Sequence, residues 1–174
     1  DSFAATGYSN SVSIVMRQVG DSPFADKRVR LAFARGFNFE YWDDRVWEGN
    51  LSAIGQTGTG PFLPGTRFYD DDNNGIPYDP EEARRLLDEV KDETDWDGTI
   101  EYTCDVGRIA GQEEVALQAM LGPIGFKVVT VMDPDRNSST NRVHRKRNFQ
   151  TGCYTFAVVD ANPFRDLNNR WVTG

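Results

Sequence analysis

The sequence has 174 residues, of which 39% are hydrophobic and 12% aromatic, a composition typical of one globular domain with a single core. Its formal net charge of -8 argues against a nucleic-acid partner, because proteins that bind phosphate backbones concentrate Lys and Arg on one face. No apolar run approaches the roughly 20 residues that span a bilayer, and residues 1–10 lack the pattern of an export signal.

The first predicted element is a strand in which Val12, Ile14 and Met16 alternate with polar residues, the period of a strand with one buried face. Asp26 is then placed to cap a helix whose apolar residues recur at helical spacing. Gly36 ends this helix. The chain is therefore predicted to open with a strand and a helix.

A second predicted helix is capped by Asn38, and its apolar stripe indicates core packing rather than a cofactor site. The stripe consists of Tyr41, Trp42, Val46 and Trp47. Residues 49–65 hold five glycines and two prolines, which predicts an irregular surface loop. Within it, the glycine-rich run 55–60 lacks the Lys-Ser/Thr pair of a phosphate-binding loop, so nucleotide binding is not expected.

The strongest helix signal lies at residues 78–82. Asp79 can accept the free N–H groups of the first turn, Pro80 suits the first helical position, and two glutamates oppose the positive end of the helix. An apolar stripe follows at Ala83, Leu86, Leu87 and Val90.

Strands and helices alternate in the rest of the chain. A strand is predicted around residues 100–104, and a helix over 112–121 with Val115, Ala116, Ala119 and Met120 facing inward. Residues 126–132 are largely β-branched, which predicts a strand covered on both faces. Asp133-Pro134 is expected to open another helix, and residues 154–159 form a last strand. This order predicts an α/β fold with a mostly parallel sheet and helices on both faces.

The two cysteines, Cys104 and Cys153, are too few and too far apart for a disulfide scaffold or a zinc knuckle. Buried free thiols are the expected state. A disulfide between them stays open as the alternative, because it requires the two strands that carry them to be neighbours.

Four blocks of sequence occur in order along the chain. They are residues 23–32 (PFADKRVRLA), 78–87 (YDPEEARRLL), 121–128 (LGPIGFKV) and 148–163 (NFQTGCYTFAVVDANP). Any one block is a weak signal, but four in this order resemble the peptide and nickel solute-binding proteins that serve ABC importers.

The resemblance implies a two-lobed protein that closes on a peptide or similar solute and delivers it to a membrane permease. Residues 1–174 would be a single domain, the contiguous second lobe of a type II periplasmic-binding-protein fold, with the first lobe missing. The implied location is periplasmic or extracytoplasmic, with membrane association through the importer. The ligand stays open between peptide, sugar and metal chelate, and a solute-sensing lobe of a regulatory or signalling protein is the alternative.

The resemblance places the strand of the fourth block, and the loop after it, at the ligand cleft. The aromatic residue of the family's Gly-Trp pair falls on Phe156, with Tyr154 and Thr155 before it. The carboxylate that pairs with the ligand's amino group in peptide-binding members falls on Val159, whereas Asp160 comes one residue later and needs a β-bulge to reach the same face. These five residues are the predicted ligand-binding set, and a core position is the alternative for Phe156.

A calcium-loop pattern also occurs, formed by Asp70, Asp72, Asn74 and Glu81 around Gly75. A solvated acidic turn is the preferred interpretation, because no predicted helix leads into the loop and Glu81 already has a role at a helix start. We therefore expect no cofactor, with calcium as the alternative.

The sequence does not indicate an enzyme. The single histidine, His144, lies in a basic cluster predicted to be the solvated face of a helix, formed with Arg142, Arg145, Lys146 and Arg147. No Asp or Glu is placed in an apolar setting that would raise its pKa, so the acidic pairs are attributed to the acidic composition.

Overall fold

The structure is a computed structural model that describes residues 8–53, 55, 59–60, 62, 64–73, 75–107 and 110–159, and within these the backbone alone for 8–13, 73, 110 and 154–159. The strands are β1 (Tyr8–Met16), β2 (Thr99–Asp105), β3 (Lys127–Asp133) and β4 (Thr151–Val159). The helices are α1 (Lys27–Gly36), α2 (Phe39–Trp47), α3 (Asn50–Ala53), α4 (Pro80–Glu93), α5 (Ala110–Leu121) and α6 (Arg136–Thr140), which continues as a π-helical stretch (Asn141–Lys146). None of the described helices is both long and apolar enough to cross a membrane.

The four described strands form one sheet in the order β1-β4-β2-β3. β2 runs parallel to both β3 and β4, whereas β1 pairs with β4 in the antiparallel direction. α5 contacts the face of β2 that carries Tyr102, and the helical segment after β3 contacts the opposite face through Asp133. The predicted α/β architecture, with a mostly parallel sheet between helices, is confirmed.

The helix starts that local sequence predicts are confirmed by hydrogen bonds. Asp26 accepts from the backbone N–H of Arg28 at 2.7 Å at the start of α1, and Asn38 accepts from that of Tyr41 at 3.0 Å at the start of α2. Asp79 does the same for α4, ahead of the first-turn proline. Each cap joins a side chain to a backbone N–H two or three residues later, so it can be predicted from the local sequence.

One continuous core joins the helices to the sheet. Phe24, Phe33 and Phe126 stack edge to face, with ring centroids 5.8 and 6.0 Å apart. Leu87 of α4 and Ile100 of β2 are fully buried in the same cluster. The aromatic stripe of α2 belongs to it as well, as the sequence predicts.

The predicted inward face of α5 is confirmed at Ala116, which is 1% exposed, and Met120 packs partly buried against the core, but the prediction is wrong at Val115 and Ala119, which are exposed. The other buried positions are Glu113, Leu117 and Leu121. The buried face includes Glu113, and a prediction that places only apolar residues inward does not anticipate a buried glutamate. Burial of Glu113 depends on a hydroxyl partner supplied by β2, and this partner is visible only in three dimensions.

The expectation that the third strand is covered on both faces is also wrong. β3 lies at the edge of the described sheet, and its Val129 is 52% exposed. Val128 faces the core, whereas the β-branched Val129 reflects strand propensity and not burial. The helix after it begins at Arg136, capped by Asp135, so Asp133 ends β3 and does not open that helix.

Gly152 allows β4 to approach β2 closely, because a side-chain carbon at this position would overlap the backbone carbonyl oxygen of Thr103. We expect Gly152→Ala to lower the free energy of unfolding by about 2 kcal/mol, since neither backbone can move without opening the pairing. Urea denaturation measures this. Gly111→Ala is the control, because an added methyl group there meets no atom within 4 Å; equal stability of the two variants would contradict the expectation.

Candidate functional site

Three parallel strands, β2, β3 and β4, have their carboxyl ends at the same end of the sheet, which we term the site edge. β2 and β3 end together, with Asp105 opposite Asp133, and the N–H of Val106 donates to the carbonyl oxygen of Asp133 at 3.0 Å. β4 runs in the same direction but continues further. In open sheets with parallel strands, ligands bind outside the carboxyl ends. This edge is therefore the candidate functional site.

After its last hydrogen-bonded pair with β2, at Gly152, β4 pairs only with β1 among the described strands. Residues 8–13 and 154–159 form this two-stranded segment, which we term the β1–β4 ribbon. Its register is unbroken, from Ser13 opposite Tyr154 to Tyr8 opposite Val159. The first and last described strands of the chain thus lie side by side at the candidate site.

Four of the five predicted ligand-binding residues lie in the ribbon, namely Tyr154, Thr155, Phe156 and Val159. The fifth, Asp160, lies outside the described residues. Because the pairing over 154–159 contains no bulge, alternation assigns positions 154 and 156 to one face and positions 155 and 159 to the other. The structure thus brings the predicted set onto one strand but divides it between two faces, and its role in binding stays a prediction.

Cys104 and Cys153 form a disulfide, with their Cα atoms 5.2 Å apart. The expectation of free thiols is therefore wrong. The cysteines meet because β2 and β4 are parallel neighbours, and the next pair in register after Thr103 and Gly152 is the two cysteines. The bond lies where β4 leaves β2, at the base of the β1–β4 ribbon.

Glu113 lies beside this disulfide and is only 1% exposed. Its Oε2 accepts a hydrogen bond from the Tyr102 hydroxyl at 3.0 Å and lies 3.4 Å from Cys104 Sγ. The pKa of Glu113 is raised to about 7, mainly by burial; the Tyr102 hydrogen bond lowers it, and the charge of Asp105 raises it. The expectation that no carboxylate has an apolar setting is therefore wrong. Its position four residues before the buried Leu117 is the signal that could have found it.

The ligand atoms of Cys104, Glu113 and Cys153 lie within 4.8 Å of one another. Metal sites of this type use thiolates. Since the two sulfurs are bonded to each other, neither is free to act as a thiolate ligand, and the cluster has a structural character.

A polar cavity of about 310 Å³ lies between the end of β3 and the helical segment that follows. Asp133, 5% exposed, accepts from Arg142 Nε at 3.0 Å and from Arg142 Nη2 at 2.8 Å. Arg142 is thus half-buried and paired with a buried carboxylate, which corrects its assignment to a solvated face. Arg145, Lys146 and Arg147 are exposed, as predicted. The pairing neutralises both charges at the cavity wall.

The calcium-loop residues are exposed where they are described. The N–H of Asp72 donates to Asp70 Oδ1 at 3.0 Å, a local turn, and Glu81 lies in the first turn of α4. Asn74 lies outside the described residues. The calcium interpretation therefore stays a prediction.

Solved structures of other proteins share this architecture. An ABC-transporter-associated periplasmic binding protein from Helicobacter pylori, in complex with the peptide STSA, matches with a TM-score of 0.73 at 20% identity over 91% of this chain and 29% of that one. NikA from Brucella suis, in complex with Fe(III)-EDTA, matches with a TM-score of 0.64 at 18% identity over 86% and 32%. The fold is that of part of a type II periplasmic binding protein, as the resemblance implies.

Residues 2–169 match the family described as bacterial extracellular solute-binding proteins, family 5 Middle. The chain belongs to this family. Di/tripeptide-binding protein 2 of Pseudomonas aeruginosa (strain UCBPP-PA14) is 33% identical to it over 108 residues, which are 61% of this chain and 20% of that protein. The chain thus spans between a fifth and a third of the length of these relatives.

Proposed function

We propose that this chain is the contiguous second lobe of a two-lobed solute-binding protein that captures peptides, or a similar small solute, for the permease of an ABC importer. The observation that carries the proposal is the pairing of Tyr8 with Val159. A lobe inserted in a longer chain needs its two connections close together, and the first and last described strands are neighbours. Residues 1–174 then form one domain, and the first lobe completes the cleft.

The proposed location is periplasmic or otherwise extracytoplasmic, with membrane association through the importer. The family is described as extracellular. The disulfide supports the same location, because such bonds persist in oxidising compartments and are rare in the cytosol.

A peptide is the proposed ligand class. The similar Pseudomonas protein is a di/tripeptide-binding protein, and the similar Helicobacter structure holds a peptide, whereas the Brucella structure shows that the fold also accepts a metal chelate. Family members bind solutes, and this chain is proposed to act by closure of two lobes and not by catalysis. In this lobe, Tyr154 and Phe156 would supply aromatic contact area and Asp160 a carboxylate for the ligand's amino group.

Isothermal titration of the intact two-lobed protein tests the function, with the peptide Ser-Thr-Ser-Ala and with Fe(III)-EDTA as ligands. We expect binding of the peptide, and weak or absent binding to the isolated chain, which offers half a site.

Phe156→Ala in the intact protein is expected to raise the dissociation constant of the peptide about tenfold or more, because buried aromatic contacts dominate such interfaces. Val115→Ala, an exposed change on α5, serves as the control. A lowered melting temperature with unchanged affinity would assign Phe156 to the core instead, and binding of the chelate alone would overturn the peptide assignment.

A further inference from the structure

The β1–β4 ribbon has few bonds to the rest of the sheet. Among the described residues, β2 and β4 share only the pairs Tyr102 with Thr151 and Thr103 with Gly152. Beyond them, in the part of the chain that the structure describes, the ribbon is paired as two strands, and a two-stranded segment is marginally stable in water by itself. Its position relative to the core therefore depends on the contacts at its base, where β1 and β4 continue into the sheet.

We propose that the Cys104–Cys153 disulfide is the anchor that positions the β1–β4 ribbon, and thereby the ligand-contacting residues that it carries. The second half of this statement rests on the proposed function. The first half concerns the fold alone, and the two are tested separately.

The place of the bond supports this assignment. It follows the last hydrogen-bonded pair between β2 and β4, so it continues the connection at the step where the backbone pairing stops. A covalent link at this point limits how far the ribbon can rotate away from β2.

The burial of Cys104 and of its neighbours supports the proposed anchor as well. Cys104 is 3% exposed, and its sulfur lies against Glu113 of α5, which Tyr102 holds by a hydrogen bond. Cys153 is half-buried at the foot of the ribbon. The disulfide therefore links β4, at the base of the ribbon, to a buried part of the core.

Amide hydrogen exchange on this chain tests the anchor. The variant Cys104→Ala/Cys153→Ala is compared with Leu87→Ala, a fully buried change in α4 chosen to destabilise the whole fold by a similar amount. We expect the ribbon amides to exchange at least tenfold faster in the cysteine variant than in Leu87→Ala. Reduced wild type, which keeps both side chains, should behave like the cysteine variant. Equal ribbon exchange in all three would overturn the proposal.

Ligand affinity in the intact two-lobed protein tests the positioning role. At temperatures where every variant is folded, we expect the dissociation constant for Ser-Thr-Ser-Ala to rise at least tenfold in the cysteine variant and to stay unchanged in Leu87→Ala. If the disulfide only stabilises the fold, the dissociation constant should change in neither variant. That result would overturn the positioning role. If wild type does not bind the peptide, the proposed function fails, and the exchange comparison alone decides the anchor.

Discussion

Replacing both cysteines by alanine is expected to lower the free energy of unfolding of this chain by about 4 kcal/mol. The disulfide joins residues 49 positions apart, and a link across a loop of this length removes much of the freedom of the unfolded chain. Urea denaturation of the oxidised wild type and of the variant measures the difference.

The control for this prediction is the same comparison in the presence of a reductant. The difference between the two proteins should then shrink to the packing effect of two sulfur atoms, about 1 kcal/mol per site or less. A difference that persists unchanged under reduction would mean that the stabilisation comes from packing of the sulfurs and not from the covalent bond.

Glu113→Gln is expected to be more stable than the wild type at pH 8 and about equal to it at pH 4. The folded protein holds the pKa of Glu113 at about 7, above its ordinary value of 4.5, so the folded state binds more protons between these values. The contribution of this group to stability is therefore fully present below pH 4.5 and is lost as the pH rises to 7. The loss is about 3 kcal/mol, which the uncharged glutamine avoids.

Denaturation at pH 4, 6 and 8 measures this dependence. Glu114→Gln is the matched control, since Glu114 lies on the same helix but is partly exposed and accepts a hydrogen bond from the Gln118 side-chain amide. A wild-type stability that rises between pH 5 and 7, or a Glu113→Gln variant that is less stable at pH 8, would contradict the burial of an ionisable carboxyl group beside the disulfide.

The candidate site was predictable in its location but not in its geometry. The fourth sequence block directs attention to residues 154–159, and these lie in the ribbon beyond the carboxyl ends of β2 and β3. The unbroken register, which divides the positions between two faces, was not readable from the chain, because a bulge leaves little trace in sequence. Glu113 escaped prediction for a related reason, since its hydroxyl partner lies on another element.

The sequence by itself determined the features that depend on near neighbours. Caps such as Asp26 and Asp79, the apolar stripe of α4 and the order of strands and helices follow from contacts within a few residues, and the four blocks carry the family. Only the tertiary structure decided which strands lie side by side, and with that the disulfide, the exposed edge of β3 and the buried face of α5. The physical reason is that strand neighbours are selected by packing between segments tens of residues apart, whereas capping and periodicity act within a single turn or strand.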